Sequence, residues 1–145
     1  MILFWFGCIG QSQNSWLSPS PFQREYAQQL LESPPLAEDI NPDPSVVEIE
    51  LTATPKQHEI LDWRSEEAIV VNGYAYNGTL PAPTIRAKVG DTVIVHLTNQ
   101  LEAPTTIHWH GIDVPNNMDG TPLVQPPVQP GDTFTYQFTV DRAGT

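Results

Sequence analysis

The chain uses one short device twice: "VGDTVIVHLTN" from Val89 to Asn99 and "PGDTFTYQFTV" from Pro130 to Val140. In each, a Gly-Asp turn launches a run whose every second residue is apolar. Val93, Val95 and Leu97 share one face of the first run, and Phe134, Tyr136, Phe138 and Val140 share one face of the second. That period belongs to a strand with one side in a core and the other in water. "VVEIELT" alternates in the same way, with Val47, Ile49 and Leu51 set against Glu48 and Glu50. "PTIRAKV" predicts a further strand in which Ile85, Ala87 and Val89 alternate with Arg86 and Lys88. "AIVVNGYAYNG" reads as a strand followed by two turn signals, Asn72-Gly73 and Asn77-Gly78. Fifteen prolines and nine glycines leave little room for long helices. Short alternating strands at even spacing predict an all-β Greek-key sandwich.

At 145 residues the chain has room for one domain. The alternating pattern starts at Val46, which divides the chain into residues 1–45 and 46–145. Met1 to Phe6 is apolar but too short to span a bilayer. No basic residue precedes Arg24, so the stretch is a leader-like stub without the usual positive start. Gly7 before Cys8 has the form of a lipoprotein processing site. The plain reading is a mispredicted start or the stub of a longer leader; the other is export to the periplasm or beyond the cell, with a lipid anchor at Cys8 as one route. From Gln11 to Ser45 the chain is rich in Ser, Pro and acids, and it reads as a disordered acidic linker. A short helix is expected within it at Gln23–Glu32, stopped by Pro34 and Pro35.

Charge and cysteine usage narrow the function. Seventeen acidic and six basic residues give a formal net charge of −11. Such a chain has little with which to neutralise phosphates or an anionic membrane surface, so no nucleic-acid partner is expected. Cys8 is the single cysteine. It allows no intrachain disulfide and no Cys-rich zinc site, and 46–145 contains no thiolate for a blue-copper centre.

"TTIHWHGIDVPNNMDGTP", Thr105 to Pro122, carries the chemistry. On an extended strand His108 and His110 fall on one face and Trp109 on the other. Side chains two apart lie about 6.5–7 Å apart at Cα, so the imidazoles can share a metal or serve two ions of one cluster. The plainer alternative is a pair of surface histidines beside a core Trp. Gly111 is expected to end the strand and admit a neighbouring backbone. Asp119, just before Gly120, is either a turn residue or a carboxylate aimed at the same site. His58, in the polar "PKQHEI", is expected on a loop, and His96 on a strand in the row of Ile94 and Thr98. Both read as structural.

The stretch "YNGTLPAPTIRAKVGDTVIVHLTNQLEAPTTIHWHGIDVPNNMDGTPLVQPPVQPGDTFTYQFTVDRAGT" resembles the first cupredoxin (plastocyanin-like) domain of a multicopper oxidase, the family of laccases and bacterial copper oxidases. His-Trp-His-Gly at His108–Gly111 is the most specific element. It is accompanied by the turn at Asn77–Pro83, by Gly90-Asp91, Asp119-Gly120 and Pro130-Gly131, in that order. The resemblance implies copper as cofactor, with His108 on the type 2 ion and His110 on one of the type 3 pair. It implies a proton-delivering role for Asp119 and core packing for Trp109. It also implies that the domain is C-terminally incomplete, since in the family a second His-x-His strand follows the Gly-Thr matched by Gly144-Thr145. The remaining ligands and the type 1 copper would then come from further cupredoxin domains of the same or another chain. The parent activity would couple oxidation of a reducing substrate to reduction of dioxygen to water. A sandwich so interrupted is expected to leave the face of Phe134, Tyr136, Phe138 and Val140 uncovered. Two other readings stand beside this one: a non-catalytic copper-binding or interaction module, and a zinc hydrolytic site, which lacks an evident third His.

Overall fold

The computed structural model describes residues 34–62 and 67–144. The leader-like stub, Cys8 and the helix expected at Gln23–Glu32 lie outside the described residues. Four strands, β1 (Val46–Asp62), β2 (Glu67–Tyr76), β3 (Thr92–Asn99) and β4 (Thr133–Thr139), form one sheet in the order β2-β1-β3-β4. Among the described residues one 3-10 turn occupies Asn116–Met118. The described residues are all-β and their sheet is cupredoxin-like. Among the described residues no helix is long and apolar enough to cross a membrane.

β1 changes partners halfway. Val46 to Ala53 pair in parallel with β3, whereas Ala53 to Asp62 pair antiparallel with β2. β3 pairs antiparallel with β4, Val95 facing Tyr136. Pro55, which has no N–H to donate, stands just past the point where β3 stops flanking β1. Alternation sets the core as the sequence requires: Ile49, Leu51, Val93, Val95, Leu97, Tyr136 and Phe138 are buried on one face. The Gly-Asp device forms turns in both places, Asp91 N–H donating to Lys88 O and Asp132 N–H to Gln129 O.

Several expectations need correction. Ile85–Val89 makes no strand; only Thr84 pairs, in an isolated bridge to Leu36. Asn72-Gly73 is not a turn but lies inside β2, because β1 continues opposite it and pairs Gly73 with Lys56. Asn77-Gly78 is the real turn, closed by Thr79 N–H on Tyr76 O at 3.0 Å. His58 sits on β1 rather than on a loop. Residues 34–45, read as the end of the linker, are hydrogen-bonded to the domain, to the Thr84 segment and to strands β1 and β3, where Thr92 N–H donates to Ser45 O. Thr84 N–H donates to Pro35 O, Ala37 N–H to Thr84 O and Ile40 N–H to Glu48 O.

The face of β4 is covered. The long connection between β3 and β4 folds back across it, and Trp109 meets Tyr136 and Phe138 at ring-centroid distances of 5.5 and 4.9 Å. Ile107, Ile112, Val114 and Met118 pack on the same core. Asn99, fully buried at the end of β3, anchors this connection. Its amide donates to Ala103 O and Val128 O, and its Oδ1 accepts from Leu101 N–H.

On the opposite face His96 lies in the outward row of β3 with Ile94 and Thr98, as its alternation requires. Its Nε2 is 2.8 Å from Glu48 Oε1 and its Nδ1 is 2.9 Å from Thr135 Oγ1. The His96 hydrogen bond, and then that from Asn41, hold the Glu48 carboxyl below its ordinary value of 4.5 against partial desolvation. A carboxylate so lowered contributes stability that is present above its ordinary value and is lost as pH falls through the lowered one. Glu48→Gln should therefore make the acid limb of the stability curve shallower below about pH 4.5. Acid titration of circular dichroism checks this, and identical limbs would show that Glu48 is not linked to folding.

Candidate metal centre

The segment that carries the histidines is held at both ends. Thr105 and Val128 exchange N–H···O bonds of 3.0 and 2.9 Å, which brings the start of the segment against the approach to β4. Residues 106–109 then form no ladder, where a strand was expected. The alternation of faces survives all the same. Trp109 turns into the core, while His108 and His110 are exposed on the other side. Their ring centroids are 5.8 Å apart and the rings are nearly perpendicular, at 78°. The Trp109 indole Nε1 is buried without a hydrogen-bond partner.

His108 is oriented from behind. Its Nδ1 lies 2.9 Å from the main-chain oxygen of Asp119. A carbonyl oxygen can only accept, so Nδ1 carries the hydrogen and Nε2 presents its lone pair outward. A main-chain carbonyl on one ring nitrogen is the arrangement that fixes a metal-binding imidazole. The Asp119 carboxylate approaches the same nitrogen, with Oδ2 at 3.6 Å, too far for a hydrogen bond. The three residues singled out in the sequence are thus one cluster, with His108 at its centre.

The close backbone approach is not at Gly111, where an added Cβ would meet nothing within 4 Å. It is at Gly120, which has φ +80° and whose Cβ would stand 1.9 Å from Ile107 O. The Asp119-Gly120 turn therefore lies directly on the peptide that precedes His108. Two buried polar residues reinforce it: Tyr136, which alternation placed in the core without this role, and Gln125, which sequence reasoning missed. Gln125 accepts the Gly120 N–H at 2.9 Å through Oε1, and the Tyr136 hydroxyl receives the Ile107 N–H at 2.8 Å. His58 and His96 take no part; His58 Nε2 bonds Tyr74 O at 3.0 Å on β2.

As a donor set, two neighbouring outward imidazoles, one with its tautomer fixed, suit a borderline metal such as copper. Among the described residues no three His, Cys, Asp or Glu side chains converge to hold a metal ion. The pair fits a share of a copper site whose other ligands come from elsewhere.

Residues 55–145 match the family model described as multicopper oxidase. The chain belongs to the multicopper oxidase family. It is 47% identical over 76 residues to a multicopper oxidase of Mycobacterium tuberculosis, a match covering 52% of this chain and 15% of that protein. It is 48% identical over 93 residues to an L-ascorbate oxidase of Nicotiana tabacum, covering 60% and 16%. The solved multicopper oxidase of Campylobacter jejuni, described as a metallo-oxidase, superposes with a TM-score of 0.64 at 29% identity, covering 77% of this chain and 22% of that one. The matched region thus spans less than a quarter of each of these multicopper oxidase relatives. Copper is the cofactor of the family.

Proposed function

We propose that this chain supplies His108 as a ligand of the type 2 copper, and His110 as a ligand of one type 3 copper, to the cluster of a multicopper oxidase. That enzyme couples oxidation of a reducing substrate to reduction of dioxygen to water. The observation that carries the reading is the hydrogen bond from His108 Nδ1 to Asp119 O, which leaves Nε2 as the ring nitrogen available to a metal on an exposed side chain. Bound copper would supply one-electron redox chemistry at that position. The chain's own residues do the rest. The segment presents both imidazoles on one side, and Trp109, packed on Tyr136 and Phe138, keeps their backbone rigid. Asp119 holds a carboxylate beside the His108 ring, where it can hold and pass on a proton. The remaining ligands come from further cupredoxin domains of the same or another chain, and the protein works in the periplasm or outside the cell.

The test is a Cu(II) titration followed by electron paramagnetic resonance. Replacing both His108 and His110 by Ala should weaken specific binding by at least tenfold, since no other pair of imidazoles is adjacent in the described residues. Unchanged affinity and an unchanged nitrogen hyperfine pattern would remove these histidines from the site.

A further inference from the structure

The outward pose of His108 depends on atoms well inside the fold. Tyr136, on β4, is completely buried, and Gln125 is 1% exposed. The Gln125 amide Nε2 donates to the Tyr136 hydroxyl at 3.0 Å, so the two side chains form one buried unit. Each spends its other polar contact on a main-chain N–H, and the two recipients are telling. Tyr136 takes that of Ile107, the residue before His108; Gln125 takes that of Gly120, the residue after Asp119. The ring of contacts is closed on the other side by Gly120, which rests on the Ile107 carbonyl, and by the bond from His108 Nδ1 to Asp119 O.

We infer that Gln125 and Tyr136 are positioning residues that set the tautomer and orientation of His108 by clamping Ile107 and Gly120 together against β4. This rests on the copper reading above, and it deepens that reading. Burying an amide and a phenol in an apolar core is costly unless their bonds are met, and a well-packed apolar pair would hold a core as firmly. What an apolar pair could not do is fix the separation of two main-chain segments along a defined direction. That separation is what keeps Asp119 O 2.9 Å from His108 Nδ1. When the acceptor drifts, Nδ1 loses its partner, the hydrogen can move to Nε2, and the lone pair meant for the metal is occupied.

The experiment uses the 145-residue chain without metal and then with Cu(II). Long-range nitrogen–proton spectra of the imidazoles report the tautomer of each histidine, and amide spectra report the fold. Three variants separate the roles. Gln125→Met matches shape and removes both side-chain bonds. Tyr136→Phe keeps the ring and removes the hydroxyl. Gln125→Glu keeps the acceptor for Gly120 N–H, and the Tyr136 hydroxyl can turn its own hydrogen to the second carboxyl oxygen; its amide spectrum reports the cost of burying the carboxyl.

In the first two, at a temperature where their amide spectra are native, His108 is expected to leave the Nδ1–H form while His58 stays unchanged. Cu(II) affinity is expected to fall about tenfold, the lower end of the effect of removing an outer partner of a ligand. In Gln125→Glu both should stay within about twofold of the parent. A parental His108 tautomer in folded Gln125→Met or Tyr136→Phe would overturn the inference, leaving the pair a merely structural role. Loss of the tautomer in folded Gln125→Glu would overturn it too, since the Gly120 contact would then not be what holds the ring. The tautomer is read without copper. A chain that shows the expected tautomers but keeps full Cu(II) affinity in His108→Ala therefore refutes the copper reading and leaves the clamp standing.

Discussion

Gly120→Ala is expected to destabilise the chain by about 3 kcal/mol, well beyond the usual effect of adding one methyl group. Two penalties add. The residue has φ +80°, where a side chain costs about 1 kcal/mol relative to glycine. The new Cβ would also lie 1.9 Å from Ile107 O, 2.5 Å from Ile107 C and 3.0 Å from His108 N. Those are main-chain atoms, held in place by Tyr136, so they cannot rotate aside; forced overpacking of this kind costs about 1–3 kcal/mol. Gly131 provides the control. Its φ is +84°, but an added Cβ would meet nothing within 4 Å, so Gly131→Ala should cost only about 1 kcal/mol. Urea unfolding of the two variants isolates the contact from the backbone conformation. Equal losses would mean that the turn can move off the His108 peptide freely, and that the close approach does not hold the site.

The contrast between these two glycines also shows where sequence reading succeeds and where it stops. Alternation identified the buried rows of β3 and β4 correctly, because burial of one face is written into each strand's own residues. The same local logic put His108 and His110 on one side and Trp109 on the other, even though the segment forms no ladder. Alternation cannot say whether a partner strand exists. Ile85–Val89 alternates well, yet it finds only one bridge, at Thr84. Asn72-Gly73 has the composition of a turn, but a turn forms only where the flanking pairing ends, and β1 runs on opposite it. Gly73 is instead a place where a side chain would crowd His58, whose Cδ2 would be 3.1 Å from a Cβ. Gln125 left no local mark, and Asn99, though it falls in the inward row of Leu97, gave no sign of the bonds it makes. Asn99 bonds Val128 as well as the nearby Leu101 and Ala103, Gln125 bonds Tyr136 on β4, and nothing around Gln125 in the chain distinguishes it from the exposed amide of Gln129.

Asp119→Asn, in an oxidase assembled around this chain, is expected to leave copper content near normal and to slow oxygen reduction about a hundredfold, the lower end of the loss expected when a positioned acid–base group is removed. On the proposed reading the two effects separate, because Asp119 would act through two different atoms. Its main-chain oxygen accepts the His108 Nδ1–H at 2.9 Å, and an asparagine keeps that oxygen. The ligand should therefore hold its tautomer and its metal. The carboxylate is a separate group, 3.6 Å from the same nitrogen and 29% exposed, able to exchange protons with solvent on one side and the site on the other. An amide of the same shape cannot take up and release a proton there, so proton delivery becomes the slow step and the solvent deuterium isotope effect on turnover should rise. His108→Ala is expected to behave differently, losing copper together with activity, because it removes the proposed ligand itself. Copper content per protein, oxygen uptake and the isotope effect measured on the same preparations distinguish these cases. Parental turnover in fully copper-loaded Asp119→Asn would reduce the Asp119 carboxylate to a turn side chain and leave only its carbonyl with a role.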